Sequence, residues 1–206
     1  MRIAVLVSGH GRGTNFQAII DAHERGEFAA EIAVLVSASA DAGAVDRAVE
    51  HGIETLVVDP KRFALEQDYF AALARELLAR EIGLVCLAGY MRQVAPDFIR
   101  EFPNRIMNIH PALLPAFGGK GMYGIHVHEA VIESGAKFTG VTVHFADAEY
   151  DHGPIILQRV VPVDEDDTPE SLAARVLKEE HRLYAEAIRL FAENRLKVTG
   201  KRVRIV

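Results

Sequence analysis

Ile3-Ala4-Val5-Leu6-Val7-Ser8-Gly9-His10-Gly11-Arg12-Gly13-Thr14-Asn15 is an apolar run that breaks into closely spaced glycines and then enters a segment of helical spacing. A short, wholly apolar run is the signature of a strand buried on both faces, as in a parallel sheet. The pattern recurs. Apolar runs at residues 32–36, 55–58 and 84–87 are separated by amphipathic stretches at 15–24, 42–51 and 66–80; the last places Phe70, Leu73, Ala74, Leu77 and Leu78 on one face. Repeated strand–helix–strand units imply parallel pairing with right-handed crossovers. The expectation is an α/β fold with a doubly wound, mostly parallel sheet.

The second half of the chain is more mixed. A strand at residues 106–109 is followed by a Gly- and Pro-rich loop at 111–124, a helix near 127–133 and the strictly alternating Val141-Thr142-Val143-His144-Phe145. Residues 155–161 form a further strand whose spacing permits an antiparallel edge. Thr168-Pro169-Glu170 reads as an N-cap with proline at the first helical position, opening a helix that runs to about residue 193. Residues 196–206 read as a terminal hairpin turning near Thr199-Gly200; Lys197, Lys201, Arg202 and Arg204 fit a solvated edge protected by charge better than a basic binding patch. One compact domain over residues 1–206 is expected.

Half of the 206 residues are hydrophobic and tryptophan is absent, so the core rests on aliphatic side chains and ten phenylalanines. The net charge of −6 argues against a general nucleic-acid binder. No apolar run approaches the roughly 20 residues of a membrane span, and the N-terminal run stops too soon for a secretion signal. Cys86, the single cysteine, sits in Leu84-Val85-Cys86-Leu87 and reads as a buried strand residue without an activating cation. A reducing, cytoplasmic setting is the simple expectation.

Four constellations carry chemistry. In Met107-Asn108-Ile109-His110-Pro111, strand alternation sends Asn108 and His110 to one side, and Pro111 places them where the strand meets its loop. An amide and an imidazole aimed at one point suit an oxygen that gains negative charge; the other reading is a strand end whose polar groups cap nearby backbone. The glycines between Gly9 and Gly13, with Thr14 and Asn15, form a strand-to-helix turn suited to a phosphate. Thr14 stands where a dinucleotide fingerprint needs its third glycine, and no Gly-Lys-Ser/Thr follows. Asp151, in Glu149-Tyr150-Asp151-His152-Gly153-Pro154, follows the alternating strand, and strand packing brings it to His110 in this reading, where a carboxylate supports a protonated imidazole and moves protons through water. Glu180 falls on an apolar helical stripe with Leu172, Val176, Tyr184 and Ile188, which calls for a cationic partner: a substrate amine, or a basic side chain of the protein. His126, His128, His144 and His152 have no spacing typical of a metal site, and no metal is expected.

Taken together, these segments resemble the folate-dependent phosphoribosylglycinamide formyltransferase family. The resemblance rests on Gly13-Thr14-Asn15-Phe16-Gln17-Ala18-Ile19, Leu87-Ala88-Gly89-Tyr90-Met91-Arg92, Asn108-Ile109-His110-Pro111-Ala112-Leu113-Leu114-Pro115, Gly140-Val141-Thr142-Val143-His144-Phe145, Asp151-His152-Gly153-Pro154-Ile155-Ile156 and Glu179-Glu180-His181, in family order across residues 1–195. It implies a Rossmann-like formyltransferase fold, with residues 1–100 as a nucleotide- and phosphate-binding half and 101–195 as a catalytic and folate-binding half. It implies transfer of a formyl group from the co-substrate 10-formyltetrahydrofolate to the amine of glycinamide ribonucleotide, by a monomer or homodimer, with no nucleic-acid or membrane partner. Asn108, His110 and Asp151 match the catalytic trio. Gly13, Thr14 and Asn15 match the phosphate site and Glu180 the residue that meets the amine. Met91, Arg92, Gln93 and Val94, with Ala146, Asp147, Glu149 and Tyr150, match the folate pocket.

Three positions depart from the family pattern: Ala112 where serine is usual, Gly118 where proline is common, which implies a more mobile loop, and Glu66 where an arginine is usual, with Lys61 or Arg62 as possible substitutes. Three alternatives are weighed. A methionyl-tRNA formyltransferase carries a large C-terminal domain. A formyltetrahydrofolate deformylase, a hydrolase, carries an N-terminal domain ahead of the core. A non-catalytic nucleotide-binding module accounts for the glycine loop but leaves Asn108, His110 and Asp151 without work.

Overall fold

A computed structural model of the chain describes residues 1–9 and 11–206; His10, in the glycine loop, lies outside the described residues. The chain forms two compact units, Met1–Asn108 and Ile109–Val206.

The first unit is the strand–helix repeat expected of its apolar runs. Its strands are β1 (Arg2–Val7), β2 (Glu31–Ser37), β3 (Thr55–Val57), β4 (Ile82–Leu87) and the start of β5 (Ile106–His110). They lie in the order β3-β2-β1-β4-β5, and every pair is parallel. β1 is central because Ile3, Ala4, Val5 and Leu6 are apolar on both faces, and all four are fully buried. Cys86 is likewise fully buried on β4. The helices are α1 (Thr14–Glu24), α2 (Gly43–Glu50), α3 (Glu66–Ala79) and α4 (Pro96–Glu101). α4 was not expected from the sequence, since six residues are too few to show a helical period. Proline at its first position fixes its start, and a ladder of rings holds it to α3: Tyr69–Phe70, Phe70–Phe98 and Phe98–Phe102, with centroids 5.1, 5.5 and 5.0 Å apart.

The second unit contains α5 (Ile125–Glu133), β6 (Phe138–Phe145), β7 (Ile155–Pro162), α6 (Pro169–Ala192), β8 (Leu196–Thr199) and β9 (Arg202–Ile205). Its strand order is β6-β7-β9-β8. β6 and β7 are antiparallel, and the register shifts between Val143 and His144. β8 and β9 are the expected hairpin, turning at Gly200 with φ 57°. The N-terminus of α6 is a capping box, in which Ser171 N–H donates to Thr168 Oγ1 at 3.2 Å and Thr168 N–H to Ser171 Oγ at 3.0 Å. α6 packs on β6 and β7 through a stripe that includes Leu172, Val176 and Ile188.

An alternating strand normally shows its polar face to water. In β6 the polar positions are buried as well: Thr142 is 0% exposed and His144 2%. Buried polar groups need partners, and those of Thr142 and His144 build the site below.

Candidate active site

β5 ends in His110, 3% exposed, immediately before Pro111. Its Nε2 lies 2.8 Å from the Phe117 carbonyl oxygen, and its Nδ1 lies 3.5 Å from Asp151 Oδ2. The expected meeting of His110 and Asp151 is therefore present. Asp151 sits between β6 and β7 at φ 53°, a conformation uncommon for a residue with a side chain. Gly153 lets the same turn close, because a Cβ at 153 would run into the Phe145 carbonyl oxygen. The Gly119 N–H donates to Asp151 Oδ2 at 2.9 Å. A second imidazole completes the cluster: His144 Nδ1–H donates to the Phe145 carbonyl at 2.9 Å, and Nε2 lies 3.7 Å from Asp151 Oδ1. The carboxylate is thus flanked by two histidines.

The electrostatics follow from burial and these contacts. Burial pushes His110 below the usual histidine value; Asp151 and the Phe117 carbonyl offset part of this, and His144 adds to it. Burial pushes Asp151 up, yet the His144 hydrogen bond, the His110 charge and the Gly119 N–H together outweigh it and hold the carboxyl below its ordinary range. Near neutral pH the pair is an ionised carboxylate beside a neutral imidazole.

The loop after His110 is anchored by Thr142. Its hydroxyl donates to the Ala112 carbonyl at 2.6 Å and accepts from Leu114 N–H at 3.0 Å. Gln158 Nε2 donates to Thr142 Oγ1 at 3.0 Å and to the Leu114 carbonyl at 2.9 Å. Ala112 is fully buried against this network. Gly118 has a packing reason: a Cβ there would sit 2.5 Å from Leu114 Cδ2 and 3.2 Å from Asp151 Cβ. A cavity of about 330 Å³ opens on Asp151 and is lined by Leu114, Gly118, Tyr150, His152 and Lys201 among others.

Asn108 is two positions before His110 on β5 and half-buried; strand periodicity gives it the same face. Glu180 is 7% exposed on the buried stripe of α6. The basic side chain of Arg159 bonds Glu179 and Glu186 on the same helix, each at 3.1 Å. In the 146–150 segment, Asp147 Oδ1 accepts from Glu149 N–H at 3.0 Å and Oδ2 lies 2.8 Å from His152 Nδ1. Tyr150 and Glu149 are exposed, and Ala146 is half-buried. Lys201, on the hairpin turn, donates to the His152 carbonyl at 2.7 Å.

In the first unit, Gly13 caps α1 at φ 67° and packs so closely on α2 that a Cβ would meet Ala44 Cα at 2.9 Å. Thr14 and Asn15 open the helix, where first-turn N–H groups and the helix dipole favour an anion. Arg47 Nε fastens the loop by donating to the Arg12 carbonyl at 2.9 Å. The 88–94 segment is tied to the same loop, since Met91 N–H donates to Ser8 Oγ at 2.9 Å. Met91 is exposed and Val94 buried; Gln93 is exposed. Arg92 pairs with Glu66 at 3.5 Å, so the departure at Glu66 is matched by a charge partner within the unit.

The sequence reading missed His144 as a partner of Asp151. Alternation marked it as a strand position, but only the β6–β7 turn shows which carboxylate it meets. It also missed the Phe117 carbonyl, Thr142 and Ser8. A main-chain carbonyl carries no sequence signal at all. The histidines weighed as metal ligands have separate surroundings: His126 meets Glu129, His152 meets Asp147, and His128 is buried on α5. Among the described residues, no group of three or more His, Cys, Asp and Glu is placed to hold a metal ion.

An α/β chain with an Asn-x-His strand end and an aspartate closing on the imidazole has the make-up of an acyl- or formyl-group transferase. The family model described as formyl transferase matches residues 1–188, and the chain belongs to that family. It is similar to the chloroplastic phosphoribosylglycinamide formyltransferase of Vigna unguiculata, at 44% identity over 195 residues; the match covers 95% of this chain but only 62% of that protein. It is also similar to the crystal structure of glycinamide ribonucleotide transformylase 1 from Symbiobacterium toebii, at 50% identity and a TM-score of 0.93, covering 100% of this chain and 94% of the other. A formyltetrahydrofolate deformylase from Pseudomonas syringae is more distant, at 26% identity and a TM-score of 0.85, and this chain covers 65% of it.

Proposed function

We propose that the chain transfers a formyl group from 10-formyltetrahydrofolate to the primary amine of glycinamide ribonucleotide. The observation that carries this reading is the buried His110–Asp151 pair, with Oδ2 3.5 Å from Nδ1, at the end of a strand that also bears Asn108. Hydrolysis of the same donor is the second reading, supported by the likeness to the deformylase.

The reaction needs three services. The amine must be neutral and placed, the formyl oxygen must be stabilised, and one proton must leave the attacking nitrogen and reach the leaving one. In this reading Gly13, Thr14 and Asn15 hold the phosphate at the α1 N-terminus, and Glu180, buried on α6, orients the amine. As the nitrogen–carbon bond forms, negative charge grows on the formyl oxygen and is met by the Asn108 amide and the His110 imidazole. Asp151 stabilises the imidazole when it is charged and manages the proton. The carbon–nitrogen bond to folate then breaks, and that nitrogen receives the proton; no water is consumed. In this assignment Ala146, Asp147, Glu149 and Tyr150 serve folate in the second unit, and Met91, Arg92, Gln93 and Val94 are given to folate by the family resemblance alone. The fit rests on the cavity that ends at Asp151 beside the 149–152 segment. In the folate site, backbone groups read the pterin edge.

His110→Ala separates this from a nucleotide-binding module. We expect the variant to bind the ribonucleotide by calorimetry as the parent does while losing most formyl transfer. Loss of ribonucleotide binding in a folded variant, or full transfer, contradicts the assignment.

A further inference from the structure

A carbonyl oxygen only accepts hydrogen bonds. With the Phe117 carbonyl 2.8 Å from His110 Nε2 in a buried setting, Nε2 carries a hydrogen in both the neutral and the charged ring. In the neutral ring that leaves a lone pair on Nδ1. We propose that the Phe117 main-chain carbonyl sets the tautomer of His110, making Nδ1, the nitrogen that faces Asp151, the one that takes up and gives back the proton during group transfer. The opposite tautomer would set a lone pair on Nε2 against the carbonyl lone pairs.

Three consecutive residues act together here. Phe117 adopts φ 53°, which turns its carbonyl onto His110. Gly118 has no Cβ where Leu114 Cδ2 and Asp151 Cβ lie 2.5 and 3.2 Å from the position one would take. Gly119 N–H donates to Asp151 Oδ2 at 2.9 Å. The segment therefore positions the imidazole and the carboxylate at once. The 3.5 Å between Nδ1 and Oδ2 is too long for a strong hydrogen bond, so the 2.8 Å contact with the Phe117 carbonyl, not Asp151, holds the single hydrogen of the neutral ring. The groups that face this pair are His144 on β6, whose Nε2 approaches Asp151 Oδ1, and His128 on α5, which feels the charge of His110.

The inference deepens the proposed formyl transfer and rests on it for its chemical consequence. The neutral ring offers no N–H from Nδ1, so its hydrogen bond to the developing oxyanion is made only once Nδ1 is protonated. The proton released when the amine nitrogen bonds to the formyl carbon forms Nδ1–H. That bond breaks as the leaving folate nitrogen takes the proton, and the imidazole returns to its resting form.

Ring-nitrogen NMR of the intact protein at neutral pH tests the tautomer without any turnover, with His110 assigned by the signals lost in His110→Gln. We expect a pyrrole-type signal from Nε2 and a pyridine-type signal from Nδ1; the reverse pattern overturns the inference. Parent turnover is measured separately, so absent transfer with the expected tautomer counts against the function and leaves the tautomer standing. Gly118→Ala, which pushes Phe117 away from His110, is expected to mix the tautomers and lower kcat about ten- to hundredfold with the ribonucleotide KM unchanged. An unchanged spectrum and kcat in a folded variant also overturn it; if the variant does not fold, the parent spectrum decides.

Discussion

Thr142→Val removes one hydroxyl from a fully buried position while keeping the shape of the side chain. The hydroxyl is the partner of Ala112 C=O at 2.6 Å and Leu114 N–H at 3.0 Å, and it also accepts from Gln158. Gln158 keeps its bond to the Leu114 carbonyl. Two buried backbone groups are left without their partner, at about 1–3 kcal/mol each, and the added methyl returns less than about 1 kcal/mol. The net loss is about 1–6 kcal/mol, a large part of the ~5–15 kcal/mol typical of a domain. At about 2–4 °C per kcal/mol for a chain of this size, Tm falls by at least roughly 2 °C and by as much as roughly 20 °C. Thermal melting followed by circular dichroism measures this directly, with urea unfolding as a check that the m-value is unchanged. A Tm within about 2 °C of the parent refutes the view that Thr142 anchors the loop.

Asp151→Asn should keep folate affinity and lower the chemical step about 10²–10⁴-fold, since Asn108 and His110 remain while the charge that stabilises the protonated imidazole is lost. Single-turnover kinetics beside equilibrium binding measure the two, and equal losses in both contradict that division. Burial holds His110 and His128 below the usual histidine value of about 6.5, so the unfolded chain binds more protons than the folded one below that pH. Stability should therefore decline as pH falls through ~6.5 and level off below the folded values. His128 Nδ1 is buried with no hydrogen-bond partner among the described residues, so His128→Leu should make that decline shallower and add about 1 kcal/mol near pH ~5.5. Urea unfolding at several pH values checks it, and a steeper decline in the variant speaks against the assignment.

The parts legible in the sequence were those governed by local rules. Apolar runs separated by amphipathic stretches gave the parallel strands of the first unit, and Thr168-Pro169 marked the start of α6 where the capping box is found. Asn108 and His110 stood out because alternation and Pro111 place them at a strand end, and Asp151 because its loop follows β6. What was illegible depends on register and on the main chain. His144 meets Asp151 only through the geometry of the β6–β7 turn. α4 is a helix because Phe98 joins a ring ladder, not because its six residues show a period. Gly118 read as a source of mobility, whereas its packing against Leu114 and Asp151 makes it a fitted position. The pairing of Glu66 with Arg92 likewise needed the structure, since the sequence showed only a missing arginine.

The central claim is group transfer between two small molecules, and product stoichiometry tests it most directly. Purified protein is mixed with 10-formyltetrahydrofolate, with and without glycinamide ribonucleotide; folate release is followed by absorbance and the ribonucleotide product by mass. The account predicts one formylated ribonucleotide per folate released and no release when the ribonucleotide is omitted. Folate release with free formate, independent of the ribonucleotide, would contradict it and identify a hydrolase.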